Sequence, residues 1–153
     1  MKHIINLDEY FESKYWGTIA AGIVPFCTKT KRFLVGLRSS QVREPGTYGS
    51  FGGKLDIDEG IDEEIKEAAI RELIEETEYR GEIHLIDGYV FRDGDFEYHN
   101  FWGLVDEEFT PELNWENDNY KWVTLEQLQK MPKKHFGLKK FMEKSIHLLY
   151  EYV

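Results

Sequence analysis

Residues 52–79 read GGKLDIDEGIDEEIKEAAIRELIEETEY: a Gly52-Gly53-Lys54 turn, an acidic stretch, then Arg71-Glu72-Leu73-Ile74-Glu75-Glu76 within a segment of helical periodicity. Residues three and four apart on a helix share a face, so Glu72, Glu75 and Glu76 project their carboxylates into one small volume. An i,i+4 pair of equal charge costs roughly a few tenths of a kcal/mol, so three acids together call for a compensating cation. Hard cations such as Mg2+ prefer oxygen and commonly use one or two carboxylates along with substrate phosphates. Arg71 can pair with Glu75 one turn along, but a single guanidinium does not neutralise three acids.

The apolar arc of Ile65, Ala69, Ile70, Leu73, Ile74 and Thr77 is broad, and Glu72 and Glu76 lie at its edge, where helix meets core. Spacing alone leaves a metal site and an ordinary acidic helix surface as equal readings, because Glu-rich helices are common. The glycine pair adds the second half of the signal. Glycine permits positive φ and lets a backbone group approach a ligand closely, and Lys54 adds a phosphate-seeking charge. Alone, a Gly-Gly-Lys turn is more often just a loop; joined to the Arg-Glu-Leu-x-Glu-Glu run eighteen residues later, it is a rare combination.

On these residues the chain resembles the Nudix hydrolase family, whose signature runs from a glycine through a glutamate to Arg-Glu-apolar-x-Glu-Glu-x-Gly-apolar and forms a loop, helix and loop. Two departures stand out. Gly53 and Arg71 are eighteen residues apart, four more than the family's usual spacing, and Glu59 or Glu63 can fill the middle glutamate position. Glu78 replaces the closing glycine, with Gly81 shortly after. The resemblance implies a Mg2+-dependent pyrophosphohydrolase, with Mn2+ as a substitute. It makes Glu72 and Glu76 the leading metal ligands, Glu75 a third and the Gly52 carbonyl a fourth, and it has Arg71 orient the acids. Family members take their general base from the signature helix or from a later loop. Glu75 is the first candidate, and Glu97, Glu116 and Asp118 are the alternatives, each more often a plain surface acid. His99, alternating with apolar neighbours, reads as a packed or hydrogen-bonded histidine.

The flanking chain reads as strands over residues 18–26 and 33–38, joined at the turn 28–31, and again over 83–91 and 96–105 across the hairpin signal Arg92-Asp93-Gly94-Asp95. A short strand at 120–124 precedes helices at 125–130 and 137–150, separated at Pro132. Strands around a central helix with a terminal helix over the other face imply an α/β fold, a Nudix-type α/β/α sandwich on a central mixed β-sheet. The loop 39–51 is the expected mouth of the site. Arg38, Arg43 and Lys54 are candidates to hold phosphate, and Tyr48, Phe51, Phe96, Tyr98 and Trp102 are candidates to stack on a base, although an aromatic in a strand serves as readily in the core.

A length of 153 residues, with no Pro/Ser-rich linker or repeat, suits a single domain over 1–153, and 15% aromatic residues supply its core. A net charge of −10 argues against nucleic-acid or anionic-membrane partners and makes a cation more valuable to a phosphate substrate. No run approaches the roughly twenty apolar residues of a membrane span, and the acidic N-terminus lacks a signal-peptide core, so a cytoplasmic protein is expected. Cys27 stands alone, which excludes an internal disulfide and a cysteine-based zinc site, and reads as a buried strand residue. Aromatics near the N-terminus are compatible with a homodimer. The expected substrate is a small nucleotide: a nucleoside diphosphate linked to another group, such as a nucleoside triphosphate, ADP-ribose, a dinucleoside polyphosphate or a nucleotide sugar. A catalytically silent Nudix-like sensor is the alternative, and it would be expected to have lost metal acids that this chain keeps.

Overall fold

Thr18–Cys27 is a nearly unbroken apolar run and forms strand β1, buried along most of its length on both faces. That pattern belongs to the middle of a sheet covered on both sides. The computed structural model describes residues 18–55 and 64–153. Around β1 it places β2 (Arg32–Arg38), β3 (Tyr48–Gly49), β4 (Phe51–Lys54), α1 (Ile65–Thr77), β5 (His84–Asp93), β6 (Phe96–Val105), β7 (Asn117–Thr124), α2 (Leu125–Lys130) and α3 (Phe136–Ser145). The sheet among these residues has seven strands and is mixed. One edge of β1 pairs in parallel with β6 from Thr18↔Phe96 to Cys27↔Val105. The other edge is shared between two antiparallel partners, β4 at Ala20–Ile23 and β2 at Phe26 and Cys27. Pro25 falls in the interval between them, where that edge asks for no ladder bond.

Alternation along β1 sends side chains to two separate cores. Ala21 and Ile23 join Leu34, Phe51 and Phe101 under Ala68, Ala69 and Leu73 of α1. Val24 and Phe26 join Phe33, Val35 and Trp102 against Leu128 of α2 and Phe141 and Met142 of α3. Trp102 stacks on Phe141 with ring centroids 4.0 Å apart, and its indole N–H donates to Ser145 Oγ at 3.1 Å. The expected three-layer arrangement is thus present, with helices on both faces of a mixed sheet.

Several local expectations need correction. Gly52-Gly53-Lys54 is not a turn but strand β4, and neither glycine has positive φ. The glycines are there for close approach: a Cβ on Gly52 would lie 2.4 Å from the Ala21 carbonyl oxygen and 2.6 Å from the Gly22 Cα. The loop 39–51 contains β3, paired at Tyr48 with Leu37 and at Gly49 with Gly36. The last helix stops at Ser145 and tightens into a 3-10 turn over Ile146–Leu149. By contrast the hairpin turn is where expected, with Gly94 at φ +60 between Asp93 and Phe96. Cys27 is fully buried, and no described helix is long and apolar enough to cross a membrane.

Candidate active site

Helix α1 carries its acids in two neighbouring columns. Residues four apart stack along a helix face, so Glu72 lies over Glu76 on the side facing the sheet, and Arg71 over Glu75 on the next column toward solvent. Glu72 and Glu76 are 7% and 3% exposed, whereas the Glu75 side chain is 47% exposed. Arg71 ties the columns together. Its Nη1 donates to Glu72 Oε2 at 2.8 Å and to Glu75 Oε1 at 2.8 Å, and its Nη2 donates to the Lys54 carbonyl at 2.9 Å. Strand β4 and the acid-bearing helix are thereby fixed to each other.

A third, half-buried acid joins these two from outside the helix. Glu72, Glu76 and Glu116 each present a carboxylate oxygen, all within 4.8 Å of one another. Glu116 precedes β7 and is anchored from both sides: its N–H donates to Asn114 Oδ1 at 3.0 Å, and its carbonyl accepts from the Ser39 N–H at 2.9 Å. Asn117 Nδ2 donates to Glu76 Oε1 at 3.0 Å, while Glu76 Oε2 is buried with no hydrogen-bond partner among the described residues. Burial, and then the charges of Glu116 and Glu72, hold the Glu76 carboxyl well above the usual carboxylate range. Burial, and then Glu75, push Glu72 up to about 7. An orphaned buried carboxylate oxygen among like charges is costly without a counter-charge. An all-oxygen donor set of this kind suits a hard divalent cation.

Glycine at position 53 makes room for this group, because a Cβ there would lie 2.3 Å from Glu72 Oε1. On the opposite face of the sheet, Tyr98 of β6 reaches across β1, and its hydroxyl would lie 2.1 Å from a Cβ on Gly22 and 2.2 Å from one on Gly52. That hydroxyl is 3.2 Å from Ser50 Oγ, and burial pushes it up to about 12. Beside it opens a cavity of about 320 Å³, whose walls include Arg38, Arg43, Phe91, Phe96, His135 and Phe136. Arg38 Nε donates to the Arg43 carbonyl at 2.7 Å, which folds the 38–43 loop over one side.

The expected site residues therefore divide. Glu72 and Glu76 come together; Glu75 is not part of the trio, because its column faces Arg71, and Glu116 stands in the third place. Arg38, Arg43, Phe96 and Tyr98 share the cavity. Phe51 is fully buried beneath α1 and offers no ring face to a ligand, since alternation along β4 turns Gly52 toward Tyr98 and Phe51 the other way. Trp102 is likewise core. Tyr48 packs against the α3-side core, with Lys121 Nζ 5.0 Å from its ring centroid, and is not among the cavity walls. Lys54 is exposed, and its carbonyl serves Arg71. Of the remaining acids, Glu97 pairs with His99 Nε2 at 3.0 Å and Asp118 is exposed. Glu59 and Glu63 lie outside the described residues. Sequence reading did not single out Phe91, His135 or Phe136; the 58% exposure of Phe136 at the start of α3 becomes visible only once the helix is placed.

A family model described as the NUDIX domain matches residues 17–145. The chain belongs to the NUDIX family. Its expected class, a Nudix pyrophosphohydrolase, is the class of that family. Solved Nudix structures share the fold. The NUDIX domain of Shewanella oneidensis NrtR, complexed with ADP ribose, is 20% identical with a TM-score of 0.69, over 95% of this chain and 99% of that one. A MutT protein from Methanosarcina mazei Go1 is 23% identical with a TM-score of 0.67, over 82% of this chain and 90% of that one. An Ap4A hydrolase from C. elegans is 22% identical with a TM-score of 0.62, over 82% and 96% respectively. No curated protein matches the chain.

Proposed function

We propose that the protein hydrolyses the pyrophosphate linkage of a nucleoside diphosphate joined to a further group, releasing a nucleoside monophosphate and a phosphorylated product. The observation that carries this reading is the partnerless Glu76 Oε2 within the trio of buried Glu72 and Glu76 and half-buried Glu116 on a Nudix framework. These three carboxylates, and the Gly52 carbonyl, are the ligands we assign to Mg2+, with Mn2+ as a substitute. A divalent cation there would neutralise the anhydride oxygens and lower the cost of charge on the leaving phosphate. Arg71 holds Glu72 and Glu75 in register. Glu75, water-accessible and close enough for its charge to raise Glu72, is the base that removes the proton from the attacking water. Attack at phosphorus breaks one P–O bond of the anhydride, and the electron pair leaves on the departing phosphate oxygen.

The aromatic wall of the cavity suits a base, and Arg38 and Arg43 supply positive charge for a phosphate at its side. Two of the similar structures are named for ADP ribose and Ap4A, which puts nucleoside diphosphates linked to a sugar or a second nucleotide first among the substrates to test. A net charge of −10 supports a small-molecule substrate over a nucleic acid, and a lone buried Cys27 supports a cytoplasmic enzyme. The silent-sensor alternative is not favoured, since Glu72, Glu75 and Glu76 are all kept.

The test is release of nucleoside monophosphate from a nucleotide panel, with and without Mg2+, on the natural protein and on Glu76→Gln. Metal-dependent release, reduced by roughly a hundredfold or more in the folded variant, is the expected result. Equal turnover by the variant would remove Glu76 from the site.

A further inference from the structure

The cavity and the acid trio lie on opposite faces of β4, and one pair of hydroxyls stands between them. Tyr98 extends from β6 across β1, and its hydroxyl rests over Gly22 and Gly52, paired residues of β1 and β4 that both lack the Cβ that would displace it. Gly53, the next residue of β4, lies under the Glu72 carboxylate. The Tyr98 hydroxyl is thus across the β4 backbone from the acids, while Tyr98 and Ser50 both line the cavity.

Hydrogen counting singles out this pair. Two hydroxyls carry two hydrogens, and the 3.2 Å contact between Ser50 Oγ and Tyr98 Oη uses one, whichever group donates. The other hydrogen has no acceptor among the described residues. A tyrosine hydroxyl with an ordinary pKa near 10 is protonated at neutral pH, so the pair keeps one donor for a ligand. Phe91, Phe96 and Phe136 form the apolar part of the cavity wall.

We propose that Tyr98, braced by Ser50, is a phosphate-binding residue: the pair donates its remaining hydrogen to an oxygen of the substrate phosphate that joins the nucleoside in the cavity to the cation on the trio. The phosphate, rather than the base, is the acceptor because the hydroxyl rests on Gly52 of β4, whose next residue Gly53 lies under Glu72, and β4 is paired with β1 alone among the described strands, which leaves its other edge as the way round from the cavity face to the acid face. This assignment rests on the proposed pyrophosphohydrolase reading, which requires the phosphates to pass that point.

The test compares binding of each nucleoside with that of its 5′-monophosphate, for adenosine, guanosine, cytidine and uridine, to the natural protein, Tyr98→Phe and Ser50→Ala. Phenylalanine keeps the ring, and thermal unfolding checks that the fold is retained. For the tightest-binding pair, Tyr98→Phe is expected to weaken the monophosphate by about ten- to a hundredfold, as for a hydrogen bond to a charged group, and to leave the nucleoside unchanged. Ser50→Ala is expected to cause a smaller loss of the same selectivity. Equal weakening of nucleoside and monophosphate would mean that the hydroxyl reads the nucleoside, and no change in either would remove Tyr98 from the site; both outcomes overturn the inference. Should the natural protein neither bind nor hydrolyse any nucleotide, the pyrophosphohydrolase reading would fail first and this inference with it.

Discussion

Glu76 is held in a state that an empty site does not favour: 3% exposed, bonded through one oxygen to Asn117, its other oxygen partnerless, and facing two further carboxylates. Glu76→Gln is therefore expected to raise the melting temperature of the metal-free protein even as it abolishes turnover, a split that thermal unfolding and a rate assay together would reveal. Gly53→Ala probes the same group from the strand. Its Cβ, built 2.3 Å from Glu72 Oε1, would push the carboxylate aside, so activity should fall by roughly tenfold or more, the usual cost of disturbing a group around a metal ligand. An alanine variant with natural rates would show that Glu72 can move freely. At this scale the sequence makes Glu72 and Glu76 legible, because i,i+4 stacking follows from helix geometry alone. It does not separate Glu75 from Glu116: the first is turned to Arg71 by one step of the helix, and the second arrives through the β2–β7 pairing.

Helix α1 ends on Glu78 at φ 62, the left-handed conformation in which glycine is preferred. This is the position at which the chain departs from the closing glycine of the family signature, so the backbone keeps the glycine conformation with a side chain in place. Glu78→Gly should stabilise the protein by about 1 kcal/mol with little change in rate, measured by denaturant unfolding. A destabilised variant would mean that the Glu78–Arg80 contact at 3.1 Å outweighs the backbone strain. The same helix sets a pH dependence. Glu72 and Glu76 have carboxyls raised in the folded state, so the metal-free fold binds more protons than the unfolded chain between about pH 4.5 and about 7. Stability conferred by these groups is therefore present at the acid end of that window and lost as pH rises through it. Mg2+, which needs the deprotonated carboxylates, should raise the melting temperature more at pH 7.5 than at pH 5. A shift independent of pH would contradict this coupling. Element boundaries were legible wherever periodicity was long, as in β6. Strands β3 and β4 were not, because their pairing to β2 and β1 is supplied by tertiary partners that no short window shows.

On the scale of the whole molecule, one central strand serves two faces: α1 with its acids on one, and the aromatic cavity closed by α3 on the other. The layered fold was legible because continuous apolar strands and an amphipathic helix leave few ways to bury both faces. The cavity was not, since Phe91, Phe96 and Phe136 meet only when the β5–β6 hairpin and α3 are placed together. Homodimerisation through the N-terminal aromatics concerns residues outside those described. With a net charge of −10, the chain attracts cations broadly, so specific binding must be separated from this background. The decisive measurement is a Mn2+ titration, following the free ion by electron paramagnetic resonance, on the natural protein, Glu75→Gln, Glu76→Gln and Glu116→Gln. The cation site proposed at Glu72, Glu76 and Glu116 is expected to lose roughly tenfold or more in affinity when Glu76 or Glu116 is neutralised, and to keep its affinity in Glu75→Gln. Unchanged binding in Glu116→Gln, together with loss in Glu75→Gln, would contradict the trio and return the site to the helix alone.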